Sequence, residues 1–207
     1  MIRVYADLEN TPEHRELLKN LAIYPDEILS ERASDFIDEE LENLELINNI
    51  QDTMFKVMNY FGGIGLAGPQ ANVGKRILVV DLCVEEKENP YWHCFDEKKS
   101  CNVDQHKIVM INPEILHLSD EVDSCDEGCL SLPGIKVKVK RPISVKVKFL
   151  DEKLEEKIFT MSKLLGRCVQ HEIDHLNGIM IIDKVSKDIR KIMLDPKLKK
   201  LSSMERC

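Results

Sequence analysis

One predicted helix constrains this chain more than any other segment. Residues 170–175 read Gln-His-Glu-Ile-Asp-His, which places His171 and His175 four positions apart with Glu172 beside the first. Positions i and i+4 of an α-helix share a face, so both imidazoles can reach one metal ion, and Glu172 can reach a water on that ion. This spacing is typical of metal-assisted hydrolysis. So short a pattern also recurs by chance on exposed helices, so the flanking residues decide whether the histidines face inward.

The flanking residues place both histidines on the inward face of a helix whose two ends are marked. Ser162 is a candidate N-cap and Gly178 a candidate C′ residue, which predicts a helix over 163–177. Leu164 and Cys168 lie on the same stripe as the histidines. A buried imidazole needs a partner for each ring nitrogen, and a metal ion supplies one.

Two histidines do not complete a metal site, so a third ligand must come from elsewhere. The extended protease motif would place a histidine three residues after Gly178, where Ile181 stands. The downstream glutamate of another protease group is also poorly supported, since only Glu205, almost at the C-terminus, is available. Cys129 follows Gly128, at a bend where a thiolate could face a metal. The commoner role of a cysteine is that of a small buried hydrophobic residue, so both interpretations stay open at this point.

Three separated motifs resemble those of the peptide deformylase family. They read Gly-Ile-Gly-Leu-Ala-Gly-Pro-Gln at 63–70, Glu-Gly-Cys-Leu-Ser at 127–131 and Gln-His-Glu-Ile-Asp-His at 170–175. Their order and separations are also those of the family, and the similarity runs from about Tyr24 to Asp183. The resemblance implies a metal-dependent hydrolase that removes the formyl group from the N-formylmethionine of newly made polypeptides and releases formate.

The resemblance also implies roles for individual residues. Cys129, His171 and His175 would hold the metal, and three protein ligands leave a fourth position open, as in catalytic sites generally. Glu172 would take a proton from water and later hand it to the departing amine. The other expected site residues are Gly65, the Gln70 side chain and the Leu130 N–H at the catalytic centre, and Ile64, Cys125, Leu164 and Cys168 around the methionine side chain.

The same resemblance implies one divalent ion, ferrous iron in the cell, for which Zn²⁺, Ni²⁺ or Co²⁺ can substitute. Ferrous iron beside a thiolate is expected to be oxygen-sensitive. Two other functions remain as alternatives: a zinc metalloprotease, which the missing third histidine or glutamate disfavours, and a catalytically silent relative. Taken alone, Gln70 is equally well explained as a loop amide after a proline.

The chain departs from the family's pattern at four places. Gly68 stands where the first motif usually has alanine, and the lost methyl is expected to loosen the local backbone. Arg167, one turn before His171, stands where the family more often has an aliphatic residue of the pocket. Residues 1–23, approximately, form an N-terminal extension, and residues 85–105, approximately, a polar inserted loop. We expect these changes to affect substrate preference rather than the reaction.

Length and composition predict a single soluble domain in the cytoplasm. The 207 residues are 43% hydrophobic and 32% charged, which is typical of one globular domain. No apolar run approaches the roughly 20 residues that span a bilayer, and residues 1–10 lack a signal-peptide pattern. Seven cysteines without such a signal favour a reducing compartment.

Hydrophobic periodicity predicts an α+β fold with antiparallel sheets packed around the helix that carries the histidines. Residues 26–52 contain ten acids, and the apolar positions from Ile47 to Phe61 predict an amphipathic helix that Gly62 and Gly63 end. Lysine alternates with apolar residues in later segments, which indicates half-exposed strands rather than a sequence-specific nucleic-acid surface. Strands are expected at 76–84, 108–111 (ended by Asn112-Pro113), 135–140, 143–149 and 157–161, with an extended segment at 178–183.

The charge of the C-terminal residues and the spacing of cysteines and histidines near residue 100 suggest two further features. Residues 187–207 contain seven Lys/Arg and three Asp/Glu, a net of +4 on a chain of −8, so the remainder is −12. Such a tail is either solvated or a contact for ribosomal RNA. Cys94 and Cys101, with His93 and His106 nearby, invite a second zinc site, but the spacing fits no standard site and the loop is polar.

Overall fold

Four α-helices are present in the residues that the computed structural model describes, which are 11–82, 92–97, 101–102, 107–187 and 190. Short 3₁₀ helices stand at Glu27–Ser30, Gly68–Ala71 and Ile181–Lys184. The α-helices are α1 (Pro12–Lys19), α2 (Asp38–Leu41), α3 (Leu44–Tyr60) and α4 (Lys163–Leu176).

The strands of the same described residues form two antiparallel sheets. They are β1 (Gly65–Ala67), β2 (Ile77–Asp81), β3 (Trp92–Asp96), β4 (Cys101–Asn102), β5 (Lys107–Leu118), β6 (Val122–Cys129), β7 (Leu132–Pro142), β8 (Ser144–Leu150) and β9 (Glu156–Ser162). The larger sheet has seven strands in the order β1-β2-β5-β8-β9-β3-β4, and β6 and β7 pair as a separate hairpin.

Strands β1 and β2 of the larger sheet are buried on both faces, with helix α4 against one face and helix α3 against the other. Successive strand residues point to opposite faces, so in β2 Leu78 and Val80 join the core formed with α4, while Ile77 and Val79 join the core formed with α3. The β6-β7 hairpin packs in a third core, which it shares with Ala22, Leu29 and residues 180–182. Helix α4 contacts strands of both sheets. This confirms the predicted α+β fold, with antiparallel sheets packed around the histidine-bearing helix.

Helix α4 begins where the sequence predicts and ends one residue earlier. Ser162 occupies the N-cap position, but its side chain makes no capping hydrogen bond; Asn177 is the C-cap. Gly178 follows with φ of +70°, a conformation that L-residues with a side chain rarely adopt. A Cβ there would also lie 2.6 Å from the Ser30 carbonyl oxygen, so glycine serves both the helix end and its packing.

The prediction that a strand ends at Asn112-Pro113 is wrong, because β5 continues to Leu118. The two residues form a bulge opposite β8, between the pairs Ile111–Leu150 and Glu114–Lys148. Asn112 has φ of +50°, and its side chain accepts from the Phe36 N–H at 2.8 Å and donates to the Phe36 carbonyl at 2.9 Å. A residue in a bulge does not have to donate an N–H to the neighbouring strand, so the strand can continue past the proline.

Two other expected segments differ in the structure. The extended segment predicted at 178–183 contains a 3₁₀ turn at Ile181–Lys184, because the Asp183 side chain accepts from the Met180 N–H at 2.8 Å and favours a turn. The predicted inserted loop at 85–105 contains β3 and β4, since the open edge of β9 pairs with backbone groups whatever their side chains. The predicted N-terminal extension contains α1, whose Leu17 is buried in the core with α3.

Some expectations concern residues outside the described ranges. They include the basic tail beyond residue 190, the rest of the 85–105 segment and His106 of the second zinc site. Cys94 of that site is a buried core residue of β3. Among the described residues, no helix has the length and apolar character needed to cross a bilayer.

Gly68→Ala is expected to lower the free energy of unfolding by about 1 to 3 kcal/mol. A Cβ at position 68 would lie 2.8 Å from the Val73 carbonyl oxygen and closer still to that of Lys75, so glycine admits a tight loop that alanine would crowd. Gly74→Ala is the matched control, because a Cβ there meets nothing within 4 Å. Urea unfolding of the two variants tests this prediction. Equal unfolding midpoints would show that the loop accommodates the Cβ without loss of stability.

Candidate metal centre

Helix α4 directs both histidines of its inward face to one point. His171 and His175 are 8% and 1% exposed, and their Nε2 atoms lie 3.2 Å apart. The four-residue spacing makes this possible, since one helical turn brings the two rings side by side. Two imidazole nitrogens held tetrahedrally at about 2.0 to 2.1 Å from one ion would lie about 3.3 Å apart. The pair therefore has the separation that a shared metal ion requires.

Cys129 is the third candidate ligand, at the end of strand β6. The β6-β7 register shifts between Gly128 and Cys129, and this irregularity turns the buried thiol toward α4. The Cys129 sulfur lies 3.2 Å from His175 Nε2, and the three candidate ligand atoms all lie within 4.8 Å of one another. A thiolate and two imidazoles at these distances fit a divalent transition metal.

Glu127 and Arg141 hold the first histidine in place, and sequence reasoning assigned neither a role. His171 Nδ1 lies 2.9 Å from Glu127 Oε2, so a hydrogen on Nδ1 leaves Nε2 free to bind metal. Arg141 donates to the same carboxylate from Nε at 2.6 Å and from Nη2 at 2.9 Å. Burial alone would raise the pKa of Glu127, but the hydrogen bonds from His171 and Arg141 lower it to about 2.

Strand periodicity contained the signal that could have found Arg141. In β7, Ile135, Val137 and Val139 are buried while the lysines between them are exposed, and Arg141 continues the buried series. A charged residue at an inward position needs a buried partner. Arg141 finds a second one in Asp174 of α4, at 2.6 Å.

Glu172 lies beside the ligands as a buried carboxylate with an unsatisfied oxygen. It is 4% exposed, and its Oε2 has no hydrogen-bond partner. Burial raises the pKa of Glu172 to about 7. A Cβ added to Gly65 would lie 2.5 Å from Glu172 Oε1 and 2.6 Å from the Cys168 sulfur. Gly65 therefore leaves the space that this carboxylate occupies.

Gln70 reaches the same place from the 3₁₀ turn that follows β1. Its Oε1 accepts from the Ala67 N–H at 2.9 Å, which orients the amide. Its Nε2 then lies 3.4 Å from the Cys129 sulfur and 3.2 Å from the Ser131 hydroxyl. Leu130, the next residue after Cys129, is buried and lines the same cavity.

A cavity of about 280 Å³ opens onto the centre. Cys168 is buried in its wall with its sulfur 3.7 Å from the Ile64 carbonyl oxygen, and Leu164 is 38% exposed. The predicted residues that line the cavity are Ile64, Gly65, Gln70, Cys125, Cys129, Leu130, Leu164, Cys168, His171 and Glu172. Arg167 lines it as well, with its guanidinium bonded to Glu127 at 2.8 Å.

Known proteins resemble this chain over most of its length. The family model for polypeptide deformylase matches residues 18–191. A peptide deformylase of Bartonella bacilliformis is 38% identical over 178 residues, which cover 86% of this chain and 90% of that protein. The crystal structure of a peptide deformylase from Ehrlichia chaffeensis superposes with a TM-score of 0.72 at 32% identity, covering 88% of this chain and 96% of that chain.

A second solved structure is that of a class I type b peptide deformylase from Acinetobacter baumannii with bound Met-Ala-Ser. It superposes with a TM-score of 0.66 at 32% identity and covers 80% of this chain and 96% of that chain. The residues matched by the family model include the three segments that build the candidate metal centre. The chain therefore belongs to the polypeptide deformylase family, the metal-dependent hydrolases that remove the N-formyl group from nascent peptides.

Proposed function

We propose that this chain deformylates N-formylmethionyl peptides in the cavity that Cys129 and His171 line, where His175 completes the set of candidate ligands. The observation that carries the proposal is the convergence of these three ligand atoms within 4.8 Å, with the buried carboxylate of Glu172 beside them. The Acinetobacter relative with bound Met-Ala-Ser supports a peptide ligand that begins with methionine.

Formate release from a formyl-Met peptide, compared with amine release from internal peptide bonds, tests this proposal. Release of formate alone is the expected result. Amine release would indicate a peptidase, and the absence of both products from metal-loaded protein would indicate a relative that retains the fold without catalysis.

The proposed metal is ferrous iron in the cell, with Zn²⁺, Ni²⁺ or Co²⁺ able to substitute. When bound, a divalent ion polarises the formyl carbonyl and activates a water at neutral pH. Cys129 would contribute one negative charge and the neutral histidines none. Metal analysis of protein purified without oxygen, beside protein purified in air, distinguishes iron from its substitutes; the same metal in both preparations would contradict an oxygen-sensitive iron site.

Glu172 is proposed to move the protons of the reaction. Burial raises the pKa of Glu172 to about 7. A group whose pKa lies near the working pH can act first as a general base and then as a general acid. The oxygen without a partner is free to accept a proton from the attacking water. The same group would then donate that proton to the departing amine.

Gln70, Leu130 and Gly65 are proposed to complete the catalytic centre. The Gln70 amide is oriented by Ala67 so that its NH₂ group faces the Cys129 side of the cavity, where a developing oxyanion needs donors. The Leu130 N–H is assigned as a second donor from the family resemblance. Gly65 is assigned to the clearance that Glu172 requires.

Formyl-Met peptides are expected to be hydrolysed about ten- to a hundredfold faster than formyl-Ala peptides, measured as kcat/KM. The proposed pocket residues Ile64, Cys125, Leu164 and Cys168 present a mostly apolar lining, and burying a methionine side chain is worth about 1.5 to 3 kcal/mol. Comparison of two peptides that differ only at the first residue measures this selectivity. Equal rates would show that the cavity does not hold the first side chain.

The basic tail at 187–207 is proposed to favour contact with ribosomal RNA in the cytoplasm, where new chains carry formylmethionine. Its net charge of +4 stands against −12 on the rest of the chain. Truncation after Asp188 is expected to leave formyl-peptide turnover intact and to weaken co-sedimentation with ribosomes at low salt. Unchanged co-sedimentation would show that the tail is solvated and does not contribute to ribosome binding.

A further inference from the structure

The Glu127 carboxylate is saturated by hydrogen bonds from three cationic or imidazole side chains. Its Oε2 lies 2.9 Å from His171 Nδ1 and accepts from Arg141 at 2.9 Å. Its Oε1 accepts from Arg141 at 2.6 Å and from Arg167 at 2.8 Å. A carboxylate offers about four acceptor sites, so each of these donors fixes part of its orientation.

Arg167 joins helix α4 to both strands of the β6-β7 hairpin. The nitrogen that donates to Glu127 also donates to the Val139 carbonyl at 3.1 Å, and the other terminal nitrogen donates to the Asp123 carbonyl at 3.1 Å. The flat fork of a guanidinium can hold three acceptors at once, which an ammonium group cannot do with the same geometry. Arg167 therefore sets how Glu127 sits relative to the helix that carries His171.

Burial distinguishes this arrangement from an ordinary surface ion pair. The side chains of Arg167 and Glu127 are 13% and 6% exposed. Solvent screens such a pair weakly, and a buried carboxylate that loses a donor is left under-satisfied. By contrast Lys184, which bonds Asp174 at 2.9 Å at the far end of the same cluster, has a side chain 32% exposed.

We propose that Arg167 is a positioning residue for the metal centre, which acts through Glu127 to hold the His171 ring at the angle that metal binding requires. This rests on the proposed role of His171 as a ligand. An arginine at the edge of the substrate cavity thus serves the metal site in addition to lining the cavity. Partners outside the ligand shell typically change metal affinity by about ten- to a hundredfold when removed.

The test measures metal release, so it does not depend on deformylase activity. Protein loaded with Co²⁺ is mixed with excess chelator, and the release rate is followed for Arg167→Met, Arg167→Lys and the matched control Lys184→Met. We expect Arg167→Met to release Co²⁺ about tenfold faster than the parent protein, at the lower end of the range for such partners. Arg167→Lys should fall between them, and Lys184→Met should match the parent.

A double-mutant cycle separates positioning from a general loss of packing. If Arg167 acts through Glu127, Arg167→Met should add little to the release rate in a Glu127→Gln background. If Glu127→Gln retains no Co²⁺, the visible spectrum of Co²⁺-loaded Arg167→Met decides, because a displaced imidazole changes the ligand field. Parent-like release and an unchanged spectrum in Arg167→Met would overturn the proposal, as would equal effects of Arg167→Met in both backgrounds.

Discussion

Glu172→Ala is expected to retain its metal and to lower kcat for a formyl-Met peptide by about 10²- to 10⁴-fold. The side chain lies outside the Cys129–His171–His175 cluster, so its removal leaves all three ligand atoms in place. What is lost is the buried group whose pKa lies near 7 and whose Oε2 has no other partner. KM should change less than kcat, since the carboxylate acts on protons rather than on the bound peptide.

Two companion variants make the result for Glu172 interpretable. Glu172→Gln keeps the size of the side chain without its basicity and should be as slow as the alanine variant. Glu45→Ala removes an exposed acid from the first turn of α3 and should have parent activity. Metal analysis beside the rate measurement completes the experiment. Loss of metal from Glu172→Ala, or a near-normal rate with metal bound, would remove Glu172 from its proposed role.

Cys129→Ala is expected to purify without stoichiometric metal and to be inactive for that reason. The thiolate would be the one anionic ligand of the three, and two neutral imidazoles 3.2 Å apart hold a divalent ion far less tightly. Cys94→Ala is the matched control: it removes another buried thiol, in the core of the larger sheet, and should keep its metal. Full metal content in Cys129→Ala would exclude this sulfur as a ligand.

The local elements of this fold could be predicted because short-range rules determine them. Helix α4 has its glycine end, its apolar stripe and its two histidines within 16 residues, from Lys163 to Gly178. The hairpin of β8 and β9 follows from alternating apolar residues on both sides of a short turn. The family motifs added the ligand cysteine, which local pattern alone left as either a ligand or a core residue.

Other elements could not be predicted from the local sequence because contacts with residues distant in the chain determine their conformation. The local sequence at Asn112 predicts the end of a strand. In the structure its side chain bonds the Phe36 backbone, 76 positions away, and the strand continues through a bulge. Arg76 reads as the polar start of a strand, yet its guanidinium donates to the Leu176 carbonyl at 3.1 Å and to the Asn177 side chain at 2.9 Å. It thereby satisfies a carbonyl at the end of α4 that the helix itself leaves open.

The sequence by itself predicted which side chains form the candidate site, since helical spacing aligned His171 and His175 and the three motifs pointed to their partners. Only the tertiary structure decided how those side chains are oriented and tuned. Glu127, 44 positions before His171, holds its ring, and Arg141 and Arg167 hold Glu127. Burial in the packed fold raises the pKa of both carboxylates, but hydrogen bonds from His171 and Arg141 lower that of Glu127 to about 2, while that of Glu172 remains raised to about 7.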